Sequence, residues 1–253
     1  MELWKIGVIA AIFVSVLGIG LYNQNLQTQT PTPTPAPNQP TPTPIAARFL
    51  GVSLGSPALP SWDNITQWTN TPAPVKLDSL KGQVALIEVF RINCGHCSDA
   101  APFLEALYEK YKGRGFKIVG IQSPGQFDDP ENLENKWPEV QKWLKERNVK
   151  YPIGFDEKSA WFQGKVKGTN YPTMLLAGQN GTIEFAQTGF DAEKAINLTI
   201  AVEKALLAKE KDARTEQQIA QDLAKFLAPF LRIGTDASLQ KALADDIARR
   251  MSE

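Results

Sequence analysis

Cys94-Gly95-His96-Cys97 contains both cysteines and the single histidine of a 253-residue chain. Two thiols separated by two residues at the start of a helix reach one another without moving the backbone. They can therefore pass between dithiol and disulfide, the chemistry of thiol–disulfide exchange. An apolar run ending at Phe90 leads through Arg91-Ile92-Asn93 into this tetrapeptide, which puts Cys94 at a helix amino terminus. Free N–H groups and the helix dipole favour an anion there, so the Cys94 thiolate is expected to form well below the free-thiol pKa of about 8.5. Cys97, a turn further in, is expected to be more buried and to keep its proton longer. That asymmetry makes Cys94 the sulfur that forms a mixed disulfide with a partner and Cys97 the sulfur that resolves it. His96 reads either as a positive or hydrogen-bonding group near the thiolate or as an exposed residue with no part in proton transfer.

The competing readings of the pair are a static bridge or two buried thiols, and bridges rarely span four residues at a helix start. Zinc needs about four ligands, and two cysteines with a histidine wedged between them cannot supply separate tetrahedral corners. No metal or other cofactor is therefore expected. Glu88 lies six residues before Cys94, inside the apolar run. A carboxylate there is costly to bury unless paired or protonated, which marks Glu88 as a general base for the buried thiol. The alternative is a strand end where Glu88 meets solvent. Tyr171-Pro172-Thr173 precedes another apolar run, and Pro172 is either ordinary punctuation at a strand start or a cis residue that exposes backbone groups to a substrate chain.

The elements that must hold these groups follow from periodicity. Val84 to Phe90 is nearly continuous in apolar residues, as in a strand buried on both faces. Ser98 to Lys112 carries Ala101, Leu104, Leu107, Tyr108 and Tyr111 at helical spacing, and Phe116 to Ile121 is the next strand. A second helix is expected over 131–147, with Pro138 in its first turn or breaking it. A short strand at 151–155 and a short helix at 159–166 come next. Two strands then flank the turn Gln179-Asn180-Gly181, and a helix covers 192–209. The order predicts an α/β fold with a central mixed sheet covered by helices on both faces.

Four segments are expected: an anchor at 1–22, a linker at 23–47, the redox domain at 48–208 and a helical extension at 209–253. Residues 6–22 carry no charge and, with Leu3 and Trp4, give about 20 residues, roughly 30 Å of helix, enough to cross a bilayer. A cleaved signal peptide would have a shorter apolar stretch and a clearer small-residue cleavage site. Lys5 at the amino end favours an orientation with the rest of the chain outside the cytoplasm. The repeats Pro31-Thr32-Pro33-Thr34-Pro35 and Pro40-Thr41-Pro42-Thr43-Pro44 read as a polyproline stalk or a disordered spacer. In the extension, Ile219, Leu223, Phe226, Leu227 and Phe230 form one apolar stripe, either packed on its own domain or docking a partner. Lys plus Arg and Asp plus Glu number 27 each, so no basic field points to nucleic acid.

Glu88, the Cys94–Cys97 motif and Tyr171-Pro172-Thr173 ahead of a hairpin together resemble the buried acid, redox pair and cis-proline of the thioredoxin fold. The lead-in from Val75 to Gly82 resembles the membrane-anchored TlpA/ResA-like group. Ile92-Asn93-Cys94, Tyr108-Glu109-Lys110-Tyr111 and the stretch from Val119 to Pro124 resemble the thioredoxin-like domain of DipZ-type proteins. The resemblance covers residues 60–208 and implies extracytoplasmic disulfide exchange, often reductive, in cytochrome c maturation or related quality control. It implies Cys94 as nucleophile, Cys97 as resolver and Pro172 as the cis residue. The partners would be disulfide-containing exported proteins and, for a reductive role, a membrane thiol transporter that supplies electrons. Asn93 stands where many thioredoxins carry tryptophan. The Gly-His pair is that of disulfide isomerases, whose potential of about −180 mV is more oxidising than thioredoxin's at about −270 mV. Two other classes compete: a binding module that holds exported clients without catalysis, and a peroxidase, which would prefer a Thr-x-x-Cys context.

Overall fold

Every residue of the run Val84–Phe90 is buried, because this strand lies in the middle of a sheet. The computed structural model describes residues 54–55, 59–125, 136–208 and 212–253, all within one compact unit, Thr43–Glu253. Among them are strands β1 (Gln67–Thr69), β2 (Val84–Phe90), β3 (Phe116–Gln122), β4 (Ile153–Phe155), β5 (Thr173–Ala177) and β6 (Ile183–Thr188). The long helices are α1 (Gly95–Tyr111), α2 (Trp137–Glu146), α3 (Ala192–Leu207), α4 (Glu216–Leu227) and α5 (Ala237–Ser252). The sheet order is β1-β4-β3-β2-β5-β6. β2, β3 and β4 run parallel, whereas β1, β5 and β6 each pair antiparallel to their neighbours.

Alternation along β2 sends Val84, Leu86 and Phe90 into one apolar cluster and Ala85, Ile87 and Val89 into another. All five long helices contribute to the first cluster, through residues such as Cys97, Val140, Leu198, Leu223 and Ile247. The second face is covered by Trp62 and Ile65 ahead of β1 and by Trp161, Phe162 and Val166. The sheet is thus covered on both faces, as expected, but the long helices share one side and short turns serve the other.

Local chemistry explains where the boundaries fall. Pro138 sits in the first turn of α2, where its missing N–H costs nothing. The strand expected from Tyr151 begins at Ile153, because Pro152 has no N–H to donate and only its carbonyl joins the ladder, accepting from Gly120. The helix expected at 159–166 is instead a 3₁₀ turn, Glu157–Ser159, followed by one π-helical turn, Phe162–Val166. β1, three residues without a readable period, was not expected. The anchor at 1–22, the linker at 23–47 and the first residues of the helix expected at 131–147 lie outside the described residues.

The C-terminal stripe packs on its own domain. Ile219, Leu223 and Leu227 are buried, and the Phe226 and Phe230 rings lie 6.1 and 5.4 Å from that of Phe103 in α1. Burying each such side chain stabilises the fold by roughly 1.5–3 kcal/mol before ordering costs. Buried Glu203 of α3 accepts from Arg114 at 2.9 Å and from Arg214, just ahead of α4, at 3.2 Å. A capping box between Thr215 and Gln218 starts α4.

Candidate functional site

β2 ends at Phe90, and after the three residues Arg91, Ile92 and Asn93, Cys94 takes extended backbone angles as the N-cap of α1. Cys94 and Cys97 are joined by a disulfide, with Cα atoms 5.2 Å apart. The Cys94 sulfur accepts from the Cys97 N–H at 3.2 Å, so a backbone donor of the first helical turn already points at it. The same donor and the helix dipole would stabilise negative charge on that sulfur in the reduced pair. Cys97 is wholly buried, Cys94 is half-buried, and Gly95 and His96 are exposed. His96 makes no hydrogen bond or ion pair among the described residues.

Glu88 is only 2% exposed and lies on the face of β2 that α1 covers, the face to which Cys97 also belongs. The alternative of a strand end open to solvent is ruled out. Burial pushes its pKa up to about 7, opposed by the Tyr151 hydroxyl, which donates to Oε2 at 2.8 Å. Burial likewise raises the Tyr151 phenol, with the neighbouring carboxylate adding to it. Gly120 pairs with Glu88 across the sheet, and a Cβ there would come within 2.4 Å of the Ile153 Cδ1 and 3.2 Å of the Tyr151 ring. A side chain at this position would displace Ile153 and press on the Tyr151 ring beside the carboxylate. Tyr151 and Gly120 had no signal in sequence, because their roles depend on strands brought together from distant positions.

The Tyr171–Pro172 peptide bond is cis. Thr173 pairs with Val89, so Pro172 stands at the end of the sheet from which Arg91-Ile92-Asn93 runs to Cys94. The Pro172 carbonyl accepts from Gly189, and the Arg91 guanidinium lies 5.4 Å from the centre of the Tyr171 ring. Beneath this loop, Asp156 is fully buried and accepts from the Trp161 and Phe162 N–H groups at 2.8 Å and from the Ser123 hydroxyl at 2.9 Å. Burial raises its pKa, and these hydrogen bonds oppose the rise. The fold therefore brings Cys94, Cys97 and Pro172 to one end of the sheet, with Glu88 inside it and His96 at the surface. The arrangement offers one half-exposed sulfur, one buried sulfur and a buried acid that titrates near neutrality, enough for two-electron exchange with an external disulfide.

The sequence model of the family described as Redoxin matches residues 54–201. Protein DipZ of Mycobacterium tuberculosis is 30% identical over 155 residues, which make up 60% of this chain and 21% of that protein. The thiol-disulfide oxidoreductase ResA of Bacillus cereus is 25% identical over 109 residues, 43% of this chain and 57% of that one. The chain thus spans about a fifth of the length of the DipZ relatives it matches. A solved structure from Chlorobium tepidum, proposed to be the thiol:disulfide interchange protein DsbE, superposes with a TM-score of 0.52 at 20% identity, covering 61% of this chain and 99% of that one. The thioredoxin domain of a Bacteroides vulgatus thiol-disulfide oxidoreductase gives 0.50 at 20% identity, covering 61% and 99%. These likenesses show a thioredoxin-like fold.

Proposed function

The chain belongs to the Redoxin family, and from that membership we propose that it is a thiol–disulfide oxidoreductase, anchored by residues 1–22, that exchanges disulfides of exported proteins outside the cytoplasm. Cytochrome c precursors are among the proteins it would serve. The supporting observation is the unequal burial of two bonded sulfurs at one helix start, the half-exposed Cys94 and the buried Cys97.

In the reductive direction the Cys94 thiolate attacks one sulfur of a client disulfide. A Cys94–client bond forms as the client S–S bond breaks, and the other client sulfur leaves as a thiolate. Cys97 gives up its proton and attacks the Cys94 sulfur, which closes the internal disulfide and releases the second client thiol. Two electrons pass to the client, and a membrane thiol transporter restores the dithiol. Glu88 is the base that takes the Cys97 proton, since a carboxylate with a pKa near 7 is half ionised at neutral pH. Pro172 presents backbone to the client chain, and His96 adds a hydrogen-bonding group beside Cys94. In the isomerising direction the same first step is followed by client rearrangement and reversal.

Two measurements test this. In the full-length chain, Cys97→Ser should accumulate mixed disulfides with client protein through Cys94, and Cys94→Ser should accumulate none. If Cys94→Ser holds clients as well as the wild type and neither variant alters disulfide exchange, the chain is a holding module. The reduction potential of the pair then sets the direction: about −270 mV marks a reductase and about −180 mV an isomerase. Protease digestion of sealed vesicles reads the anchoring, with the Cys94 side expected to be cut only from the extracytoplasmic face.

A further inference from the structure

The C-terminal extension lies beyond the residues matched by the Redoxin family, yet it builds one wall of a groove that starts beside the redox helix. The groove has a volume of about 400 Å³. Ser98, Asp99 and Pro102 line it from α1, Phe190 from the turn after β6, and Phe230 and Arg232 from the turn between α4 and α5. Ser98 is one residue beyond Cys97. Phe190 follows Gly189, whose N–H is bonded to the Pro172 carbonyl, so residues next in the chain to the disulfide and to the partner of the cis-proline carbonyl line the groove.

Its walls are held in place from below. The Phe190 and Phe230 rings lie 5.3 and 5.4 Å from the buried Phe103 ring, yet each remains half-exposed. Arg232 is set by a tight turn in which it takes a φ of +57° and the Ile233 N–H returns to the Ala228 carbonyl. Two opposite charges face the groove with no ion pair among the described residues: Asp99 on α1 and Arg232 on the extension. The remaining charge, Asp191, is occupied by Lys194 at 2.8 Å. A polypeptide laid in this groove would set an apolar side chain against the two phenylalanines and a carboxylate against Arg232.

Resting on the exchange function proposed above, we propose that the extension selects clients: Phe230 and Arg232 bind an extended segment that carries an apolar residue and an acidic residue close to the client's reactive cysteine. Arg232 is a specificity-determining residue supplied from outside the family's common domain.

The test uses fluorescent peptides that hold a serine in place of the cysteine, followed by either a Phe-Glu or a Phe-Lys pair, titrated by anisotropy onto the oxidised full-length chain. The Phe-Glu peptide should bind tighter than the Phe-Lys peptide by up to about fivefold at low salt, the scale of one exposed charge pair, with the ratio shrinking in 0.5 M salt. In Arg232→Glu that preference should invert. In Phe230→Ser affinity for both peptides should fall while Phe-Glu keeps its lead. A wild-type chain with no preference, or an Arg232→Glu chain that keeps the wild-type preference, overturns the proposal. Because binding is read without exchange, failure of the redox reading would show instead as loss of mixed disulfides in the Cys97→Ser chain.

Discussion

Placing Glu88 in the central strand makes the ionised form the expensive one. Its carboxyl is half-protonated near pH 7 in the fold and near 4.5 outside it. The folded chain therefore binds this proton more tightly, and the Glu88 contribution to stability is fully present below about pH 4.5, shrinks as the pH rises, and is gone once the pH passes 7. At roughly 1.4 kcal/mol per pKa unit the loss is on the order of 3 kcal/mol. Glu88→Gln should remove that slope, so urea unfolding at pH 8 should show the variant more stable than the wild type and at pH 4 show little difference. In its proposed role as the base for Cys97, Glu88 should also leave an inflection near pH 7 in the rate at which mixed disulfides resolve. Glu88→Gln should lose the inflection and slow resolution by about 10²-fold or more, the usual range for a lost general base. A variant that stays unchanged in rate and profile would remove Glu88 from the mechanism. Gly120→Ala, whose Cβ would displace the Ile153 side chain and press on the Tyr151 ring, should shift the wild-type inflection instead of abolishing it.

Among the elements, the loops at the redox end of the sheet are pinned by one carboxylate. Asp156 follows β4, receives the N–H groups of Trp161 and Phe162, and takes the hydroxyl of Ser123 just past β3. Asp156→Ala strands two buried N–H groups, each costing about 1–3 kcal/mol, so denaturant unfolding should show a loss of about 3 kcal/mol or more. For the irregular turn after Asp156 the sequence pattern predicts an ordinary short helix. Phe162 and Val166 do sit at a helix-like spacing, but the backbone there follows the carboxylate's demand for two consecutive donors. β2, β3 and α1 were legible because their patterns are long and strong. β1 was not, since three residues offer no period and its partner β4 is far away in sequence.

At the scale of the whole molecule, the extension is part of the core. Leu223 is fully buried in the cluster that also holds Cys97 and Leu104, so Leu223→Ala should cost about 3 kcal/mol and lower the thermal midpoint. Ending the chain at Ala208 would uncover Phe103 and leave buried Glu203 without Arg214, and the truncated protein should bind apolar dyes and lose cooperativity on melting. A truncated protein that melts as sharply as the full chain would make the extension an accessory. Sequence alone determined the redox pair, its place at a helix start, the acid in the apolar strand and the α/β order. Each of these rests on neighbours within a few residues or on a period of two or 3.6. The partner of Glu88, the grip of Asp156 and the docking of the extension were decided only in the tertiary structure. They depend on contacts between positions dozens of residues apart, and no local pattern records which distant group will fill a given space.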